Sequence, residues 1–409
     1  MTKKTYYTYI IILGLLTAIG PFSIDMYLPG FGDIAKSLGT SAAAVTLSLS
    51  SYFIGFSMGQ LLYGPLLDRY GRKKPLYAGL TLYLVSTALC IKAGNINILI
   101  ILRLIQAIGT CAATVTAMTM VRDLFDVKES AKVFSLLLLV LGASPMIAPT
   151  AGGYIVVNFG WRTIFLILFI LAALITLLTI FFLPESYAAN KNFSLKPKPI
   201  LKNFIGVLKD RQFITYALSG SLAFAGLFAY VSGSPVLFMD IFHVGKKTYG
   251  WIFAFLSLAF IGLSQFNTLL LKKYSSGQII RVALTGQVVV GAIFLGGSIA
   301  GWWGLSHTIF FIFLFLACLG FTNPNAAALS LAPFSKNAGS ASALLGAMQM
   351  GAGALASIGV SAFSNGTATP MIAIMAITSL MGWVILWIGK SVHKENTVSG
   401  SAAPEQVLH

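Results

Sequence analysis

The chain has 409 residues, of which 57% are hydrophobic and 9% charged, and its net charge is +16. A soluble domain carries roughly 25% charged residues, so this composition excludes an ordinary soluble protein and indicates a polytopic membrane protein. The basic excess does not indicate nucleic-acid binding, because lysine and arginine recur in alternate loops instead of covering one folded face.

Twelve apolar runs are long enough to span a bilayer, since crossing ~30 Å of hydrocarbon takes ~20 mostly apolar residues. The predicted spans are 6–33, 42–67, 75–93, 97–121, 131–157, 162–183, 212–239, 248–271, 278–300, 305–332, 338–363 and 370–389. We therefore predict an all-α membrane protein with twelve transmembrane helices in two pseudo-symmetric six-helix halves. The predicted divisions are an N-terminal half at 1–183, a polar cytoplasmic linker at 184–211, a C-terminal half at 212–390 and a disordered cytoplasmic tail at 391–409.

The basic residues also predict the orientation. If the N-terminus is cytoplasmic, 21 of the 27 lysines and arginines lie on the cytoplasmic side. Cytoplasmic loops of membrane proteins are enriched in these residues, so both termini are expected in the cytoplasm. Lys3 and Lys4 precede an apolar run that is too long for a signal peptide, and we expect it to be a retained first span. A bacterial inner membrane is the expected location.

Asp25 and Arg103 are the two charged residues well inside predicted spans. Each costs at least ~2.5 kcal/mol on insertion scales, so each needs a partner or a wet cavity. At 1.5 Å per residue they lie ~12 and ~9 Å below the outer face, and they are expected to pair. A permanent structural ion pair is the alternative to a proton-carrying Asp25. Asp33 is expected to be a solvated helix end.

The loop between the second and third predicted spans is short and basic. It reads Gly64-Pro-Leu-Leu-Asp68-Arg69-Tyr-Gly71-Arg72-Lys-Lys-Pro. This pattern resembles the G-x-L-x-D-R-x-G-R-K/R loop of major facilitator superfamily transporters. The resemblance implies a cytoplasmic gate in which Asp68 caps a helix of the opposite half and Arg72 pairs with Asp123 at the foot of the fourth span.

Four further motifs narrow the resemblance to the Bcr/CflA subfamily of drug:proton antiporters. The first-span sequence Asp25-Met-Tyr27-Leu-Pro is similar to that subfamily's signature, and Asn323-Pro-Asn325 in the tenth span also resembles its members. Arg103-Leu-Ile-Gln106-Ala resembles the fourth-span R-x-x-Q-G motif, with alanine at its last position. The fifth span resembles the antiporter motif G-x-x-x-x-G-P-x-x-G-G, and its matching or neighbouring residues are Gly142, Pro145, Pro149, Gly152 and Gly153.

The resemblance implies export of small amphipathic drugs in exchange for protons, by alternating access in a monomer and without a cofactor. Asp25 and Arg103 are the expected proton-coupling pair. The expected substrate cavity is lined by Tyr27, Gln106, Phe224, Phe228, Tyr230, Asn323 and Asn325. The residues leave open a transporter of a physiological solute such as a sugar, amino acid or siderophore, and more remotely a channel or a membrane-embedded enzyme.

An enzyme is the least supported of these readings. His243, His307, His393 and His409 lie outside or at the ends of predicted spans, so the chain lacks clustered catalytic bases and metal ligands there. We therefore predict neither an enzyme nor a metal site. The sequence does not indicate which compounds are carried.

Overall fold

The computed structural model describes residues 3–190, 195–334 and 338–390. The first half contains α1 (Lys3–Asp25), a 3-10 turn (Leu28–Gly30), α2 (Phe31–Ser37), α3 (Ala42–Tyr70), α4 (Lys73–Ile91), α5 (Ile96–Leu124), α6 (Val127–Phe159) and α7 (Arg162–Phe182). A linker helix, α8 (Pro197–Leu208), follows. The second half contains α9 (Arg211–Pro235), which continues as a π-helix (Val236–Ile241), then α10 (Lys246–Leu270), α11 (Ser276–Ile299), α12 (Leu305–Leu331), α13 (Ala338–Ala362) and α14 (Thr369–Lys390).

Twelve spans of this described part are long and apolar enough to cross a membrane, and they begin and end within a few residues of the predicted ones. The predicted fold class is confirmed. The first span is interrupted, because α1 stops at Asp25 and a 3-10 turn containing Pro29 precedes α2. Proline lacks a backbone N–H and fixes its own φ, so a regular helix is difficult to continue through this position. The break leaves Asp25 at a helix end inside the protein.

The two halves meet along a seam formed by two helix pairs, α3 with α13 and α6 with α10. Small polar residues connect α3 and α13 along much of their length. Ser50 and Ser357 share a 2.7 Å hydrogen bond, and the hydroxyl of Ser57 donates to the carbonyl oxygen of Ala347 at 2.8 Å. Because small side chains let helix backbones approach closely, these contacts suit two bodies that pack through van der Waals contact within a membrane.

The bundle has two ends that differ in charge. We call the end that carries the loop at Gly71, the linker at 183–210 and the turn at 271–275 the basic face, and the other end the opposite face. The linker, which the sequence predicts only as a polar segment, contains the 12-residue helix α8. Val207 of α8 is buried against α9 and α13, in a hydrophobic cluster with Phe213 and Ala341. The predicted disordered tail lies outside the described residues.

Candidate functional site

Asp25 lies at the seam between the halves. Its side chain is buried, with 5% of the residue exposed, and Tyr230 on α9 and Tyr249 on α10 lie close enough to sense its charge. Tyr249 shares a 2.8 Å hydrogen bond with Ser234, whereas the Tyr230 hydroxyl has no partner among the described residues. Within the same residues Asp25 makes no hydrogen bond or ion pair. The seam therefore holds a buried carboxyl group without a counterion.

The route from Asp25 to the opposite face is closed. Leu28, Pro29 and Gly30 of the 3-10 turn are all buried and pack against α6, α9 and α10. Phe238, in the π-helical end of the seventh span, is also fully buried in the hydrophobic cluster that joins the halves. Asp25 faces protein, not lipid, and lies beneath a closed end of the bundle.

Arg103 does not pair with Asp25, and the prediction of this ion pair is wrong. One guanidinium nitrogen, Nη2, donates to the carbonyl oxygen of Ser23 at 2.8 Å, and Nη1 donates to Gln106 Oε1 at 2.6 Å. Ser23 lies in the last turn of α1, where carbonyl groups lack intrahelical partners and the helix dipole places negative charge. The C-terminal end of α1, where the helix of the first span is interrupted, therefore takes the place of a carboxylate.

Aromatic rings complete the surroundings of Arg103. Its guanidinium carbon lies 4.3 Å from the ring centroids of both Tyr27 and Tyr52, and the residue is fully buried. Cation–π contacts of this kind contribute about 2 kcal/mol when they are shielded from water. Gln106 in turn donates to Thr87 at 2.7 Å. Arg103 is thus held within the N-terminal half by neutral partners.

The predicted cavity residues fall into two groups. Phe224 and Asn323 are half-buried, and Asn323 accepts a 3.0 Å hydrogen bond from Gln349. The others are buried in helix contacts in this conformation: Tyr27, Gln106, Phe228, Tyr230 and Asn325.

Two of the buried members have partners that sequence reasoning missed. Phe228 meets Phe53 across the seam, with ring centroids 4.4 Å apart. Asn325 donates to Asn267 of α10 at 2.7 Å, and it joins helices instead of lining open space. The spacing of aromatic and amide residues along a helix does not reveal which neighbouring helix covers each side chain.

At the basic face, Arg72 joins the loop to α5. Its Nε donates to Asp123 at 2.7 Å and its Nη1 donates to Asp68 at 3.1 Å, so the expected pair with Asp123 is present. Burial disfavours the charge of Arg72, but these two carboxylates outweigh that effect and raise the pKa of the guanidinium above its ordinary value. The Asp68 side chain is 48% exposed and contacts its own half, not a helix of the opposite half as the sequence predicted.

Glu185, in the linker, is a further member of this loop that sequence reasoning missed. Its carboxylate accepts hydrogen bonds from the backbone N–H groups of Arg72 at 2.8 Å and Lys73 at 3.1 Å. It thereby caps the start of α4, where unpaired N–H groups favour an anion. Gly71 has a φ of +82°, which a side chain would strain. Arg69 bonds the backbone of the linker, whereas Gly64 has open space around it.

The fifth-span motif lies where α6 meets α1 and α10. A Cβ atom at Gly152 would overlap the carbonyl oxygen of Met26, and one at Gly153 would lie 2.6 Å from the carbonyl oxygen of Lys246. Pro145 and Pro149 lie within α6, and Gly142 meets the side chain of Ile261 of α10. Glycine at 152 and 153 is therefore required for the close approach that shuts the opposite face.

A charge pair closes the rim of this face. Lys246 Nζ donates to Asp33 Oδ2 at 2.6 Å, which joins α2 of the first half to α10 of the second. The prediction that Asp33 is only a solvated helix end is therefore wrong. The sequence could not reveal the pair, because Lys246 is 213 residues away in the chain and the sequence gives no register between the halves. No group of residues suited to holding a metal ion occurs within the described ranges.

Comparison with known proteins agrees with this architecture. The sequence model of the Major Facilitator Superfamily matches residues 13–357. The chain is 34% identical over 379 residues to an uncharacterised transporter of this type, YdgK, from Bacillus subtilis, covering 91% of this chain and 92% of that one. It is 29% identical over 375 residues to a bicyclomycin resistance protein homologue of Haemophilus influenzae, with 91% and 94% coverage.

Two further comparisons concern another relative and a solved structure. The multidrug resistance protein MdtL of Klebsiella pneumoniae is 29% identical over 380 residues, with 91% and 93% coverage. The crystal structure of the nucleoside transporter NupG superposes with a TM-score of 0.72 at 14% identity, covering 94% of this chain and 99% of NupG, and it bears on the fold alone. The chain belongs to the major facilitator superfamily, as a multi-pass membrane transporter of small molecules and not an enzyme.

Proposed function

We propose that this protein is a proton-coupled efflux antiporter that exports small amphipathic compounds, including antibiotics. The observation that carries the proposal is the buried Asp25 carboxyl group at the seam, which has no counterion among the described residues. Burial of an unpaired carboxylate is costly, and binding a proton removes that cost. A carboxyl group in this position is suited to carrying a proton from one side of the membrane to the other.

The separation of Arg103 from Asp25 supports this role. A permanent ion pair would hold Asp25 in its charged form, whereas here the two terminal guanidinium nitrogens of Arg103 donate to the end of α1 and to Gln106. Arg103 acts instead as a positioning residue that fixes the end of α1, two residues before Asp25. Proton exchange at Asp25 can then be set by the water that reaches it in each conformation.

The arrangement of the seam supports alternating access. By the positive-inside rule the basic face is cytoplasmic, and both termini are placed on that side. This conformation is closed at the opposite face, through the 3-10 turn, Gly152 and Lys246. In our scheme the inward-facing, deprotonated Asp25 permits drug entry. After the protein reopens outward, protons from outside neutralise Asp25, displace the drug and favour the return.

The proposed substrate class follows from the family and from half-buried residues of α9, α12 and α13. Two relatives are named for bicyclomycin resistance and multidrug resistance. The half-buried Phe224 offers an aromatic surface, and the hydrogen-bonded Asn323 and Gln349 offer amide groups. Such a lining suits small molecules with both apolar and hydrogen-bonding parts. We place the protein as a monomer in a bacterial inner membrane.

The test uses inverted membrane vesicles with an acidified interior and a panel of antibiotics, sugars and amino acids. Adding an exported drug should alkalinise the interior, because each drug molecule that enters the vesicle exchanges for protons. Vesicles without the protein are the control for passive buffering by the compound. Proton movement in response to a sugar or amino acid, with no response to any drug, would contradict the proposal and favour a transporter of a physiological solute.

A further inference from the structure

The linker helix α8 has three distinct sides. At about 100° per residue, Phe204 and Val207 point to the bundle, where Val207 is 1% exposed. The next side carries Leu201, Ile205 and Leu208, which remain 57%, 42% and 40% exposed. Contacts among the described residues do not explain an apolar stripe of this kind on a helix at the end of a transmembrane bundle.

Basic residues flank the apolar stripe on its far side. Lys198, Lys202 and Lys209 project within about 40° of one another on the same helical count, and all three are exposed. The segment from Lys191 to Lys209 contains no aspartate or glutamate. Asp210, which follows it, accepts a hydrogen bond from the backbone N–H of Phe213 and caps α9. The lysine stripe therefore has no acidic side chain of its own segment to neutralise it.

The position of α8 determines what can cover these two stripes. The helix ends at Leu208, with only two residues between it and Arg211, where the seventh span begins, so it lies at the depth where a transmembrane helix meets the headgroups. Apolar residues beside lysines are the pattern of helices that lie in the membrane plane, with the apolar side in the acyl boundary and the ammonium groups at the phosphates.

We propose that α8 is a docking site for anionic phospholipid headgroups of the adjacent leaflet. Leu201, Ile205 and Leu208 enter the acyl boundary, and Lys198, Lys202 and Lys209 contact the headgroup phosphates. Because the buried side of α8 packs on α9 and α13, headgroup binding at this helix holds the linker against the ends of two helices of the C-terminal half. This inference is independent of which compound is carried.

The first test locates the helix surface in the full-length protein in vesicles. An environment-sensitive fluorophore is attached to cysteine at Leu201, and the control places it at Asn203, an exposed residue on the other side of α8. In vesicles with anionic phosphatidylglycerol, the label at 201 should be blue-shifted and quenched by lipids spin-labelled on the acyl chain, while the label at 203 should not. Equal, water-like emission at both positions would overturn the proposal.

The second test addresses the charges. Each lysine near an anionic surface contributes roughly a fivefold factor to association. The double variant Lys198→Gln/Lys202→Gln should therefore lower the preference for phosphatidylglycerol over phosphatidylcholine, measured by quenching of the label at 201, by about 25-fold. The matched control Lys272→Gln/Lys273→Gln removes two charges from another loop of the basic face and should leave it unchanged. Equal effects of the two variants, or none, would overturn headgroup recognition by α8.

Discussion

Alanine at Gly152 should prevent full closure of the opposite face. The added Cβ atom would overlap the carbonyl oxygen of Met26. Relieving this overlap requires a shift of the backbone of α6 or of the backbone at Met26, which directly follows α1. Forcing one extra carbon into a packed contact costs about 1–3 kcal/mol, which corresponds to roughly a 5- to 150-fold change in a conformational equilibrium. Gly142→Ala is the matched control in the same helix, because its Cβ would meet only a side chain, with Cγ2 of Ile261 at 3.0 Å, and no backbone atom.

The assay is a distance measurement between two spin labels across the opposite face. Cysteines replace Lys92, in the loop after α4, and Ser364, in the loop after α13, both of which are exposed and lie in different halves. The native cysteines are first replaced by alanine at Cys90, Cys111 and Cys318. Gly152→Ala should move most of the population to longer distances. Gly142→Ala should change the ratio of long-distance to short-distance molecules by less than about twofold. An unchanged distribution in Gly152→Ala would refute the reasoning.

Three further substitutions test other contacts. Lys246→Asp should favour the form open at the opposite face by about 0.5–1 kcal/mol, since the pair is one-third exposed, and adding Asp33→Lys should restore the distance distribution. Failure of this charge exchange to restore it would show that the pair does not close the rim. Arg103→Gln should lower stability by about 2–4 kcal/mol in thermal unfolding in detergent, because it removes a buried hydrogen-bonded charge, and an unchanged midpoint would contradict that. Glu185→Gln should weaken the cap on α4 and increase hydrogen exchange at the backbone amides of its first turn, whereas unaltered protection would argue against the cap.

The fold was largely predictable because the bilayer restricts it. A span must be about twenty apolar residues long and must satisfy its backbone internally, so composition and run length already define the helices. The first span, in contrast, was predicted as one continuous helix, and its interruption after Asp25 is explained by Pro29. The linker was predicted only as a polar segment, without its helix, which can begin at Pro197 because proline is well accommodated in the first turn of a helix.

The site was less predictable because its contacts join distant parts of the chain. Depth alone suggested that Asp25 and Arg103 pair, but depth does not specify the direction in which a side chain leaves its helix. In the structure the buried Asp25 has no ion-pair partner among the described residues, whereas Arg103 donates to the end of α1. The pair of Arg72 and Asp123 was anticipated because the family resemblance supplied a contact that spacing could not.

The most direct test of the account is the proton dependence of transport by Asp25→Asn in proteoliposomes. Asparagine keeps the shape of the side chain and removes its titratable proton. We expect drug transport driven by a pH gradient to be lost while drug exchange without a gradient persists, and Asp33→Asn, the other acidic residue of the first span, should retain gradient-driven transport. Full gradient-driven accumulation by Asp25→Asn would contradict the central claim that this carboxyl group carries the coupled proton.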